Sequence, residues 1–314
     1  MTQRWSSPSE APAPASVARP RARPGDSVVR LGPVAVPEPR AASPVVLGPE
    51  VALDDFERYF PHVPTALAIK ECARLAVVRR YRCDGPVLDV GCGDGLFARM
   101  AFGDVEVWGI DIDAAEGRWA AASQAYAQVI LADVTRAKLP ERFFATCVAN
   151  CSLEHVPRID LALAGIERSL APGGVAYLFV PTPEWARHFA TVRALVELGA
   201  PSGGVWLQGA IDRFFKHHHL YGPKGWARLV EDAGLELVSV EPVLSTATTV
   251  AFEVFLLPSI FGWANKHLTT RWTNFPAVRR LFARPVYRVV KAVMDRADKA
   301  PTAEYLVVAR RPEQ

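Results

Sequence analysis

The sequence predicts an α/β protein built on a doubly wound, largely parallel sheet with helices on both faces. Three observations lead there. Short apolar runs alternate with segments of helical period from Pro86 to Val180. The first run ends in a glycine-rich turn, Gly91-Cys-Gly-Asp-Gly95. The runs are apolar at nearly every position, and such strands alternating with helices mean a parallel sheet covered on both sides.

The elements follow in order. Residues 1–50 are rich in Pro, Ala and Arg, as in Arg19-Pro-Arg-Ala-Arg-Pro24. Such a segment buries too little apolar surface to offset its ordering entropy, so a disordered tail is expected. A helical lead-in covers 51–83, with Leu67, Ala68, Cys72, Leu75 and Val78 at helical spacing over Thr65–Tyr81. The core is expected over 84–243. Its strands are Pro86–Val90, Val105–Ile110, Gln128–Ala132, Phe144–Ala149, Val175–Val180 and Leu235–Val240. Its helices are Leu96–Phe102, Ala114–Ala127, Ile159–Leu170, one around Trp185–Leu198, and Pro223–Ala233. Gly203-Gly204 reads as a turn. A helical insertion over 244–302 precedes a last strand, Glu304–Ala309, within the terminal segment 303–314.

Composition narrows the function. The chain has 314 residues, 50% hydrophobic, enough for one large core with appendages. The net charge of +3 carries no global nucleic-acid signal. The five cysteines form no CxxC pair, so reduced structural thiols and a cytoplasmic location are expected. No apolar run follows a basic start as in a secretory signal.

The strongest signal is Val87-Leu-Asp-Val-Gly-Cys-Gly-Asp-Gly95. Glycines belong where the backbone takes positive φ or passes close to a ligand. A dinucleotide fingerprint would place Gly or Ala at position 96, where this chain has Leu. That argues against an NAD(P)-dependent oxidoreductase. The flanking acids Asp89 and Asp94 suit a ligand with a cationic sulfur and an ammonium better than a pyrophosphate.

This nonapeptide resembles motif I of the class I S-adenosylmethionine-dependent methyltransferases. Later segments match that family in order: Trp108-Gly-Ile-Asp-Ile-Asp113, Ala132-Asp-Val134, Asn150-Cys-Ser-Leu-Glu-His-Val156 and Arg168-Ser-Leu-Ala-Pro-Gly-Gly174. The resemblance covers about residues 84–243 and the final strand, in the small-molecule and glycan-modifying branch. It implies a seven-stranded Rossmann-like sheet with the last strand antiparallel. It implies S-adenosylmethionine as cofactor, held by Asp89, Gly91, Cys92, Gly93 and Gly95. Asp111 would bind the ribose hydroxyls, with Ile112 beside it. Asp133 and Val134 would meet the adenine. Asn150 and Cys151 would contact the donor through their backbone.

A hydroxyl acceptor benefits from a general base, and His155 and His219 are the candidates. The run His217-His-His219 could suggest metal, but adjacent side chains diverge and no acid–His pattern accompanies them, so no metal is expected. The acceptor is expected to be a small molecule, a glycan or a lipid-linked molecule, with O-methylation. Nucleic acid is not expected, because Asn150 is followed by Cys-Ser-Leu rather than Pro-Pro-Tyr. The different-class alternative is a non-catalytic scaffold of the same fold at a membrane surface; the intact glycine loop and Asp111 disfavour it.

The insertion has its own pattern. Over Ala277–Ala297, apolar residues recur at i, i+3 and i+4, opposite Arg280, Arg284, Arg288 and Lys291. Pro285 should kink or divide this helix. A lid over the site, with Leu281, Phe282, Val289 and Val293 turned inward, is one reading. Peripheral contact of 250–297 with the inner membrane face is the other.

Overall fold

The computed structural model describes residues 50–313. The tail expected over 1–50 lies outside the described residues, apart from Glu50. Seven strands form one sheet: β1 (Val87–Val90), β2 (Val107–Asp111), β3 (Gln128–Leu131), β4 (Phe144–Asn150), β5 (Leu170–Pro181), β6 (Glu236–Ser245) and β7 (Pro301–Arg310). Their order is β3-β2-β1-β4-β5-β7-β6. The first five are mutually parallel, and β7 runs antiparallel to both β5 and β6. The strand order reverses between β1 and β4, where a crevice opens beyond the carboxyl ends.

Period-two alternation splits the strands between two cores. Val87, Val148, Val175 and Tyr177 face one helical layer. It contains α1 (Leu53–Tyr59), α2 (Thr65–Val78), α3 (Leu96–Ala101), α9 (Thr246–Val254) and α11 (Pro276–Met294). Leu88, Cys147, Ala176 and Leu178 face the other, with α5 (Ile159–Ser169) and α8 (Pro223–Asp232). The remaining helices are α4 (Ala114–Ala122), α6 (Ala190–Glu197), α7 (Pro201–Phe215) and α10 (Leu256–Thr269).

A cluster of charged side chains is buried where the last strand meets α2. Glu304, an acid within an apolar run, accepts from Lys70 Nζ at 2.8 Å and from Arg74 Nε and Nη2 at 2.8 and 2.7 Å. Burial alone would raise its pKa, but Arg74 and Lys70 hold it well below the carboxylate range. An unpaired buried charge here would cost several kcal/mol, so this cluster ties α2 to the sheet in one register.

Three expectations need correction. Gly203 and Gly204 lie inside α7, which begins with Pro201 at its first position. Gly204 is there because α6 is close: a Cβ would meet Val196 Cγ2 at 3.0 Å. Glycine served helix–helix approach rather than a turn. Pro285 does not divide α11, which continues through it as one helix. The inward face of α11 also differs. Ala283 and Val290 are buried, with Val286, Tyr287, Val293 and Met294 packed beside them, while Leu281, Phe282 and Val289 are exposed. Arg279 takes part of the inward face, donating to Phe60 O and Val63 O. The five cysteines are free, with Cys72, Cys92 and Cys147 buried.

Candidate functional site

The glycine loop leaves β1 at the crevice. Gly91, Gly93 and Gly95 have φ of +75°, +54° and +82°, the left-handed region that disfavours a Cβ. They differ in what surrounds them. A Cβ on Gly91 would meet Ser152 Cβ at 2.4 Å, and one on Gly95 would meet Ser123 Oγ at 2.6 Å. Among the described residues, a Cβ on Gly93 would meet nothing within 4 Å. Gly91 and Gly95 therefore allow the loop to pack on the protein, while Gly93 presents bare backbone to open space.

Asp111 ends β2 and accepts from the Gly93 and Asp113 backbone N–H groups at 2.9 and 2.8 Å. It is not a helix cap; Asp113 fills that role for α4, accepting from Ala115 and Glu116. Ile112 is exposed beside it. Asp133 and Val134 follow β3, whose Leu131 pairs with Asp111. The Asp133 carboxylate accepts from the Thr135 N–H and hydroxyl, which hold its pKa low.

A cleft of about 420 Å³ opens against the loop. Asp89, Gly91, Cys92, Gly93, Asn150, Cys151 and His155 line it. Asp89 is buried, and the sequence offered no partner for it. The structure supplies Tyr126, whose hydroxyl donates to Asp89 Oδ2 at 2.8 Å. Burial pushes the Asp89 pKa up to about 7, against the Tyr126 hydrogen bond. Asn150 donates to Glu71 Oε2 at 2.7 Å. Cys151 has φ of +49°, and its N–H donates to Phe179 O.

The cleft also holds residues the sequence did not single out. Tyr59 and Glu71 reach it from α1 and α2, and Lys266 and Trp272 from the insertion. Lys266 pairs with Glu116 of α4 and lies 4.0 Å from the Trp272 ring centroid. Lys70, Glu71 and Arg74 interrupt an otherwise apolar helix, and all three are buried. Tyr59, Tyr126 and Trp272 sit in connections or short helices where no periodicity marks them.

The two histidines separate. His155 borders the cleft, with Nδ1 3.3 Å from Lys216 O and Nε2 3.7 Å from Glu154 Oε1. Burial lowers its pKa, and burial raises that of Glu154 to about 7. His219 has both ring nitrogens occupied, Nε2 2.9 Å from Val156 O and Nδ1 3.1 Å from Tyr221 OH. That is the geometry of a fastener rather than a free base. The chain also brings His217 to Glu154 and His155, with ligand-type atoms of the three within 4.8 Å of one another. Reading the three histidines as neighbours hid this grouping, because Glu154 comes from a different part of the chain.

The site accommodates a sulfonium donor. Asn150 Oδ1 and the Tyr59 hydroxyl are buried without a hydrogen-bond partner among the described residues. Both residues line the cleft, so one offers an acceptor for an ammonium and the other a donor for a carboxylate. Asp89, Asp94, Glu71 and Glu116 line the cleft together with Lys266, which pairs with Glu116, so carboxyl groups outnumber cations there.

The fold and this site define a class I S-adenosylmethionine-dependent methyltransferase domain. The chain belongs to the methyltransferase domain family, whose sequence model matches residues 59–240, more than half of it. It is similar to uncharacterized methyltransferases of Mycobacterium bovis and Mycobacterium tuberculosis, 41% identical over 91 residues. That stretch covers 28% of this chain and 46% of those relatives, so the chain spans about half their length. Among solved structures it resembles an S-adenosylmethionine-dependent methyltransferase from Mesorhizobium loti, with 18% identity and a TM-score of 0.46 over 77% of this chain and 98% of that one. A second, from Archaeoglobus fulgidus, has 16% identity and a TM-score of 0.46 over 82% and 98%.

Proposed function

We propose that this protein transfers the methyl group of S-adenosylmethionine to a hydroxyl of a small-molecule, glycan or lipid-linked acceptor. The observation that carries the reading is Gly93: its backbone is pinned by Asp111 and borders a cleft that Asp89, Asn150 and Tyr59 also line. The donor supplies an activated methyl on a positively charged sulfur. The methyl–sulfur bond breaks as the methyl–oxygen bond forms, leaving a neutral thioether. The protein's task is alignment and exclusion of water.

The acceptor proton goes to His155. Its Nδ1–H aimed at Lys216 O leaves the Nε2 lone pair available, and Glu154 stands beside that nitrogen. With its pKa raised to about 7, Glu154 is a carboxylate above that pH and there stabilises the imidazolium as it forms. Lys266 and Trp272 roof the cleft from the insertion, which supports a lid role for that segment. The test is a screen of hydroxylated small molecules, glycan precursors and lipid extracts with methyl-labelled donor. Label should enter an ether that resists mild base. Transfer only to amines would overturn the O-methylation reading.

A further inference from the structure

We propose that the outer faces of α10 and α11 form a docking surface for an anionic lipid bilayer. This goes beyond methyl transfer and does not depend on it.

Helix α11 is the longer of the two, with 19 residues. At about 100° per residue its side chains fall into three sectors. Ala283, Tyr287 and Val290 pack against the core. Arg280, Arg284, Arg288 and Lys291 occupy the next sector and are exposed. Val278, Leu281, Phe282 and Val289 occupy the third and are also exposed, Leu281 by 77%. A helix on a protein surface ordinarily needs two sectors, one buried and one polar. The third, apolar and unburied, is the pattern of a helix lying in a membrane interface with cations at the headgroups.

Helix α10 repeats the pattern without the charges. Its outward residues include Leu257, Phe261 and Leu268, exposed by 74%, 81% and 85%. Its one Lys or Arg, Lys266, turns inward to Glu116. Phe275, in the turn between the two helices, is 70% exposed. So large an apolar surface calls for a covering partner.

Charge selects which partner. From Pro258 to Ala300 the chain has nine Lys and Arg, two Asp and no Glu. Arg284 pairs with Glu57, Lys266 with Glu116, and Lys291 and Lys299 share Asp295, so cations still outnumber the acids in and around the segment. Basic residues interleaved with exposed aromatics and leucines match phosphate headgroups above acyl chains. The contact lies in the plane of the membrane. Among the described residues no single helix is long and apolar enough to cross it, and α9 and α10 meet at a 63° bend. Helix α9 is committed elsewhere, with Thr248, Thr249, Ala251 and Phe252 buried.

Vesicle flotation with the full chain tests this. The protein should float with phosphatidylcholine–phosphatidylglycerol vesicles at least tenfold more than with phosphatidylcholine alone. The triple variant Phe261→Ser, Leu281→Ser, Phe282→Ser should reduce flotation by about tenfold or more at any salt concentration. The pair Arg280→Glu, Arg288→Glu should abolish the preference for the anionic vesicles. Both variants should keep the far-ultraviolet dichroism and melting temperature of the parent, which reports an intact fold. If the parent fails to float, the proposal is overturned. It is equally overturned if both variants float like the parent, since the arginines of residues 1–49 would then account for binding. A parent that forms dimers dispersed by the triple variant, without floating, would assign the surface to self-association instead.

Discussion

Asp111 holds Gly93. One carboxylate oxygen accepts the Gly93 N–H at 2.9 Å, and the other accepts the Asp113 N–H at 2.8 Å. The end of β2 thus fixes the glycine loop after β1 and the entry to α4 at once. Charge-assisted bonds of this kind contribute roughly 1.5–3 kcal/mol each. Asp111→Ala should weaken S-adenosylhomocysteine binding by about 100-fold, near 2.8 kcal/mol, through loss of both loop order and a ligand contact. An affinity within threefold of the parent would show that the loop holds itself.

The glycines should fail differently. Gly91→Ala forces a Cβ to within 2.4 Å of Ser152 Cβ at a φ of +75°. Strain and clash together should lower stability by about 3 kcal/mol, read as a shift in the urea midpoint. Gly93→Ala meets no atom of the described residues within 4 Å and carries only the left-handed backbone penalty of about 1–2 kcal/mol. Equal destabilisation by the two would contradict the assignment of Gly91 to packing and Gly93 to the cleft.

The Asp89 carboxyl gives a pH signature. Its folded pKa is raised to about 7 by burial, so the folded state keeps a proton that the unfolded chain releases near pH 4. Its contribution to stability is complete below that lower pH and is lost as pH rises to about 7. Histidines with lowered values, His155 and His217 among them, act in the opposite sense. The clean readout is therefore the difference between parent and Asp89→Asn, which keeps an acceptor for Tyr126. Between pH 5 and 7 the parent should lose stability relative to the variant. Parallel curves would mean that Asp89 is ionised throughout.

The two histidines predict a contrast in kinetics. His155→Gln should lower kcat by roughly 10²–10⁴ for a hydroxyl acceptor, with donor affinity preserved. His219→Gln should leave kcat within about threefold and lower the melting temperature, since it removes a contact to Val156 O or to Tyr221. The reverse pattern would transfer the base role to His219.

Much of this molecule was legible in its residues. Strands such as Phe144–Asn150 are apolar at nearly every position, so period and length identified them together. The glycine loop and Asp111 could be read because close backbone approach demands glycine and the spacing is local. What stayed hidden depends on distant parts of the chain. Tyr126 reaches Asp89 across 37 positions, and Asn150 reaches Glu71 across 79. The Gly203–Gly204 pair misled because glycine signals both a turn and a close helix contact, and only the neighbouring Val196 decides between them. Two apolar stripes flank the arginines of α11, and periodicity cannot say which one the core takes.

Isothermal calorimetry of the intact protein with S-adenosylhomocysteine, run beside Gly93→Arg, tests the central assignment most directly. The parent should bind with one site per chain. The variant should keep its far-ultraviolet dichroism, because that position opens onto space, and should lose binding, because the new side chain fills the cleft. A folded parent that shows no binding heat at millimolar ligand, or a Gly93→Arg protein that binds as the parent does, would contradict the account.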